Sequence, residues 1–426
     1  MIGALHRYVR GFTGFSRDAR LFLLTTIIFG AALSLYWIDF NLYLESLGVD
    51  RPTMGWLMSI SQLAGVLVAL PASAASSRYG RRNVMAVGMA MVAAALLIFL
   101  PGQKPLLVVG VIALGAGSQV VSVVQIPFIA EHTLPHQRNH YFAVWSAFGF
   151  LTSIFSTVLG GAAATALADR FGLVAASAPY QILLSGVAIL GLVALATVYM
   201  LTSDRPERGK FGLVVSDRRL FYRLLLPGFL TSLGAGQLIP FLNVFVQTKF
   251  SLGLPAVNAV FAITSLGTAF AILAQPALAR RFGRIGSIVL VQGASLPFLV
   301  ILGFSPVLWT VVAALTVRNS LMNAGSPIFD AFAMERVSAG ERATLAAGMT
   351  LLWSLGWTVA PLYYGTLQAA LGFTAGYTVD FVTIIVLYSI ATSLLWRWFR
   401  KDDQVAAARS VELPIAPEAP ALVDVV

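Results

Sequence analysis

The heptapeptide SSRYGRR, Ser76 to Arg82, decides how the rest of the chain is read. It joins two long apolar runs, about 53–77 and 83–101. Glycine lets the backbone turn sharply at such a joint. Three arginines beside it mark a water boundary rather than the interior of a fold. A weaker copy, ARRFGRI from Ala279 to Ile285, joins another pair of apolar runs 203 residues later.

Further features recur at nearly the same offset. FNLYL (Phe40 to Leu44) ends the first run and LNVFV (Leu242 to Val246) ends the seventh. Glu131 and Arg138 flank the turn after the fourth run, and Glu335 and Arg342 flank the turn after the tenth. Gly161 and Gly365 occupy matching places in runs five and eleven. The chain therefore reads as a tandem repeat, each unit holding six helices.

Composition says where those helices sit. Of 426 residues, 58% are hydrophobic and only 11% charged, with mean hydropathy +0.83. Soluble domains carry about 25% charged residues. Runs of about 20 apolar residues are transmembrane helix signals. Twelve are legible: 20–47, 53–77, 83–101, 105–131, 140–168, 178–202, 219–248, 255–279, 285–304, 306–331, 343–371 and 377–399. The expected fold is an all-α polytopic membrane protein with 12 transmembrane helices in two pseudo-symmetric six-helix halves. Residues 1–19 read as a cytoplasmic arm, either basic or an interfacial helix, and 20–203 as the first half. Residues 204–218 are the central loop, 219–400 the second half and 401–426 a disordered tail. The first 20 residues carry four arginines but no apolar core before a cleavage site, so no signal peptide is read. Cysteine is absent, which excludes disulfides and thiolate metal sites. No cofactor or metal is expected.

With the N-terminus placed inside, about 23 basic residues fall on the inner side and four on the outer: Arg51, Lys104, Arg170 and Lys249. That bias puts both termini in the cytoplasm. The net charge of +10 is then mostly topology, and no nucleic-acid partner is expected. His132, His136 and His140 share a helical spacing that a metal could use, but Pro135 interrupts it. A solvated turn is the preferred reading.

One basic residue remains. Arg318 lies within TVRNSLMNAG (Thr316 to Gly325), in span ten. An arginine near a bilayer centre costs about 2.5–3.5 kcal/mol on insertion scales. Three readings stand: it grips an anionic substrate group, pairs with Asp39 of span one as a switch, or is satisfied by its own helix and by Asn319 and Asn323. Asp39 is the one comparably deep acid, a proton-coupling group or a hydrogen-bonded packing residue. Asp330 and Asp380 read as shallow enough to meet water. Asn41, Gln119, Gln125, Gln237, Asn243 and Gln247 are further polar candidates. Arg318 and Asn319 are adjacent and are not expected to share a face, whereas Asn319 and Asn323 are. Tyr36, Trp37, Trp353 and Trp357 are aromatic walls or core.

RYGRR resembles the loop motif of the major facilitator superfamily, Gly-x-x-x-Asp-Arg-x-Gly-Arg-Arg. Arg78, Gly80, Arg81 and Arg82 match it; Ser73 and Ser77 replace its glycine and aspartate. Arg281, Gly283 and Arg284 carry the weaker copy. The resemblance implies a transporter rocking around a central cavity, with these loops as cytoplasmic latches. Glu131 would pair with Arg78 or Arg81, and Glu335 with Arg281 or Arg284. The alternative is that they are anchors in water, worth under about 1 kcal/mol each. STVLGG (Ser156 to Gly161) keeps only the glycine pair of the family's antiporter motif, and APLYYG (Ala360 to Gly365) keeps Pro361. Packing alone accounts for these small residues equally well.

The resulting expectation is a monomeric secondary transporter in the inner (plasma) membrane. It moves a small organic molecule, amphipathic or anionic by the charges, with protons as the coupling ion and export slightly favoured. A broad-specificity multidrug or lipid transporter is the nearest rival. A non-transporting receptor or scaffold on the same fold is another. No phosphate-binding Gly-x-x-x-x-Gly-Lys run or nucleophile–base cluster points to ATP drive or to an enzyme.

Overall fold

A computed structural model describes residues 15–134, 138–202, 215–282, 284–338 and 341–412. The helices of the first half are Arg17–Ser46, Arg51–Tyr79, Arg81–Phe99, Lys104–His132, Arg138–Arg170 and Ala178–Tyr199. These are spans one to six. In the second half, Arg218–Leu238 continues into Leu242–Phe250, and Leu254–Phe282, Arg284–Phe304 and Leu308–Glu335 follow. The last helix, Arg342–Glu412, breaks at Gly372 (φ 71°) into spans eleven and twelve. Among the described residues twelve helical spans result.

Local chemistry sets the joints. Gly80 turns between spans two and three at φ 85°, a left-handed conformation that favours glycine. Ser16 caps span one, accepting from the Ala19 amide at 3.1 Å. Asp50 caps span two: its carboxylate accepts from the Thr53 hydroxyl (2.8 Å) and amide (3.1 Å). Those bonds hold its pKa below the usual carboxylate value. Span seven, read as one helix over 219–248, is not continuous. Ile239–Phe241 forms a single turn of 3-10 helix around Pro240, which cannot donate a helical hydrogen bond.

The most extensive contacts between the halves join span one with seven, two with eleven, and five with eight. Close approach depends on small residues. A Cβ on Gly55 would run into the Pro361 carbonyl, and one on Gly161 into the Asn258 amide. A Cβ on Gly365 would sit 2.9 Å from Pro52 Cα. Gly161 and Gly365 thus hold equivalent positions in the two halves and serve equivalent junctions.

These contacts lie toward the end opposite the arginine-rich loops. There a single apolar cluster, including Phe40, Leu42, Phe241 and Tyr364, runs through both halves. At the arginine-rich end, the second half has its own separate cluster around Phe221, Ile288 and Phe399. Large apolar side chains such as Leu70, Leu159 and Trp309 point outward. That surface suits lipid, where helices satisfy their own backbone groups.

Candidate functional site: a cavity in the second half

A cavity of about 740 Å³ opens between spans seven, nine, ten, eleven and twelve. Its described lining belongs to the second half alone. Its charged and amide side chains are Gln292, Arg318, Asn319, Asn323 and Asp330, and Thr231, Thr350 and Tyr388 add hydroxyls. Apolar walls come from Met322, Met349, Trp353 and Trp357, the two indole rings lying 6.3 Å apart.

Arg318 is 2% exposed. Its guanidinium donates to Asn319 Oδ1 at 2.8 Å and to the Tyr388 hydroxyl of span twelve at 2.9 Å, while Nε has no partner. The Tyr388 ring also lies 5.6 Å from the guanidinium carbon. Among the described residues no ion pair joins Arg318 to a carboxylate. Adjacent residues diverge on a helix, but the arginine stem is long enough to fold back onto Asn319, the neighbour contact that the third reading of Arg318 anticipates. Asn323 donates to the Asn319 backbone carbonyl at 2.8 Å, which leaves the Asn319 side chain to the arginine.

Asp39 is placed elsewhere. It is 1% exposed and accepts at 3.4 Å from Asn258 of span eight; its other oxygen has no partner. The structure does not bring Asp39 and Arg318 together. Asn258 is the single asparagine of its span, the one sequence signal that marks it.

Asp380 requires a second correction. It is fully buried, not shallow, and one oxygen accepts from Gln368 at 3.2 Å. The turn at Gly372 starts span twelve earlier than the hydropathy boundary, which places Asp380 two helical turns inside. Gln237 donates to the Asp380 backbone carbonyl at 3.2 Å. Asp330 is exposed on the cavity wall.

The other polar candidates divide by location. Asn41 and Asn243 are buried between the halves, away from the cavity lining. Gln247 donates to the Tyr180 hydroxyl at 3.2 Å. Gln119 packs where Gly65 of span two approaches span four, and Gln125 is half-buried. Tyr36 is core, stacked with Phe99, while Trp37 is 43% exposed.

The loop motif is tied inside the first half. Arg81 forms an ion pair with Glu131 and donates to the Pro127 carbonyl at 2.9 Å. Arg82 donates to the Leu201 carbonyl at 3.0 Å, at the end of span six. Arg78 lies over the Tyr79 ring, and Ser77 donates to the Ser73 carbonyl. In the second copy, Glu335 is exposed. The side chains of Arg281 and Arg284, and the whole of Gly283, lie outside the described residues. So do Pro135, His136 and the His140 side chain; His132 stacks on Phe128.

A family model for the Major Facilitator Superfamily matches residues 22–361, and the chain belongs to that family of membrane transporters. Comparison with curated proteins returns no match. Among solved structures, the nucleoside transporter NupG is similar at TM-score 0.72 and 11% identity, covering 89% of this chain and 99% of its own. A D-xylose–proton symporter is similar at TM-score 0.69 and 13% identity, covering 89% and 97%. A bacterial homologue of the human lysosomal transporter Spinster, inward-facing and occupied, gives TM-score 0.70 and 14% identity over 90% and 97%.

Proposed function

We propose that this transporter moves a small organic anion by alternating access, coupled to protons, with the arginine-rich loops in the cytoplasm and export the favoured direction. The observation that carries the reading is Arg318: a buried cation on a cavity wall with no carboxylate partner among the described residues. Burying a charge is costly unless it is paired. Asn319 and Tyr388 are neutral, so they satisfy guanidinium hydrogens without cancelling the charge. An anionic ligand would do both, by charge-assisted hydrogen bonds. Asn323 and Gln292 offer further polar contacts, and Trp353 and Trp357 a flat apolar wall.

Asp39 supplies the coupling. It is a buried acid with an unpartnered oxygen, bonded across the halves to Asn258. A proton gained or lost there changes the contact between the halves that rocking must break.

The reading is tested by binding a library of metabolites and drugs to purified protein, wild type against Arg318→Ala. Losing a hydrogen bond to a charged group costs about 1.5–3 kcal/mol, or roughly 10- to 150-fold in affinity. Anions that bind the wild type should lose that much in the variant. Equal retention of all ligands would reject the arginine as anchor. The apolar wall of methionines and tryptophans favours a second reading, a broad-specificity exporter. Neutral and cationic drugs competing equally with anions would support it.

A further inference from the structure

Asn41 and Asn243 are buried, 2% and 3% exposed, where spans one and seven meet across the two halves. Asn41 Nδ2 donates to the Pro240 carbonyl at 2.6 Å. Asn243 Nδ2 donates to the Ile38 carbonyl. The arrangement is reciprocal: each asparagine bonds the carbonyl three residues before the other. Donors and acceptors are both separated by 202 residues, the period of the internal repeat. The pair of bonds therefore sits across the axis relating the halves.

The break in span seven makes this possible. Pro240 lies in the 3-10 turn between two α-helical segments. The Val244 amide, which a continuous helix would point at the Pro240 carbonyl, is taken by Asn243 Oδ1 at 2.8 Å. Asn243 thus withdraws the helical donor from Pro240, and Asn41 replaces it from the other half. Its own amide nitrogen stays free to reach Ile38. One asparagine frees an acceptor while the other fills it.

We propose that Asn41 and Asn243 form a two-point clamp that holds closed the face opposite the arginine-rich loops, acting as gate-positioning residues for the transport cycle. Parting the halves on that face breaks both bonds at once and exchanges them for bonds to water, a net loss for each. The sealed state is accordingly the resting state of the empty protein. Because each bond holds the register of the other, loss of either releases both. The inference is independent of what Arg318 binds.

The chain has no cysteine, so two introduced cysteines take spin labels without background. Val174 and Val307 lie on that face, in different halves, and are 98% and 51% exposed. Val174→Cys/Val307→Cys protein in lipid nanodiscs, without ligand, is measured by pulsed electron spin resonance. The clamp predicts one short-distance population in this parent. A longer-distance population should emerge in Asn41→Ala and in Asn243→Ala, with the double variant shifted no further than either single. Asn41→Leu, which keeps side-chain volume and removes the polar groups, should behave like Asn41→Ala and guards against a folding defect. Unchanged distances in folded single variants would overturn the clamp. Shifts that add in the double variant would overturn the claim that the two bonds act as one.

Discussion

Arg318 shows how far a single residue could be read. Its depth and isolation follow from hydropathy and from assigning the other basic residues to loops. Its partner Tyr388, 70 residues away in span twelve, follows from neither. No local period links those positions, and only the packing of the second half brings them together. Asp380 was misjudged because composition places a helix end within a few residues, and here those residues separate water from the interior. Glu341 yields a residue-scale prediction. It accepts from the Ser216 amide (2.7 Å) and from the Ser338 hydroxyl and amide, tying the start of span seven to the loop before span eleven. Hydrogen bonds from Ser338, then from Ser216, lower its pKa from 4.5 to about 2. A carboxyl depressed in the folded state stabilises above its unfolded pKa and loses that contribution as pH falls toward the folded value. Wild type should therefore melt above Glu341→Gln at neutral pH, with the gap closing between about pH 4.5 and 2. A gap independent of pH would exclude the ionised carboxylate as its source.

The elements were legible where composition alone governs them. The twelve apolar runs became helical spans, run seven with a break, and Gly80, Gly372, Gly161 and Gly365 became turns or helix contacts. Span seven was misread as continuous because one proline in a membrane helix does not by itself announce a break; neighbouring groups can re-satisfy the backbone. Here Asn41 and Asn243 do so. Gly372 offers a clean test of a turn, because nothing lies within 4 Å of where its Cβ would be. Gly372→Ala should lower stability by about 1–3 kcal/mol through backbone conformation alone, because φ 71° with ψ −173° is open almost exclusively to glycine. Thermal unfolding in detergent reads this directly, and an unchanged midpoint would mean the turn relaxes. Gly161→Leu differs, since its side chain would collide with Asn258 between spans five and eight. It should slow transport by obstructing the sealed state; a fully active variant would show that the junction has room. The Arg81–Glu131 pair joins elements of one half and is partly exposed, at 23% and 35%. Glu131→Gln is expected to change stability by under about 1 kcal/mol in a denaturation series.

At the scale of the whole molecule, the repeat carried most of the fold into view. Sequence offsets of 202 to 204 residues relate the loops, the glycines and the asparagines of the two halves. The symmetry is not complete. The cavity is lined by the second half, whereas Asp39, proposed for coupling, belongs to the first. Asn258 is the point where an event at Asp39 meets the half that holds the cavity. In the proposed cycle, binding and coupling are joined through movement of the halves, not through direct contact of two charges. The most direct measurement is transport into proteoliposomes of an anion identified by its Arg318-dependent binding, under an imposed proton gradient, with wild type beside Asp39→Asn. The account predicts that wild-type accumulation follows the gradient, while the variant still binds the anion and only equilibrates it. Full gradient-driven accumulation by Asp39→Asn would contradict it.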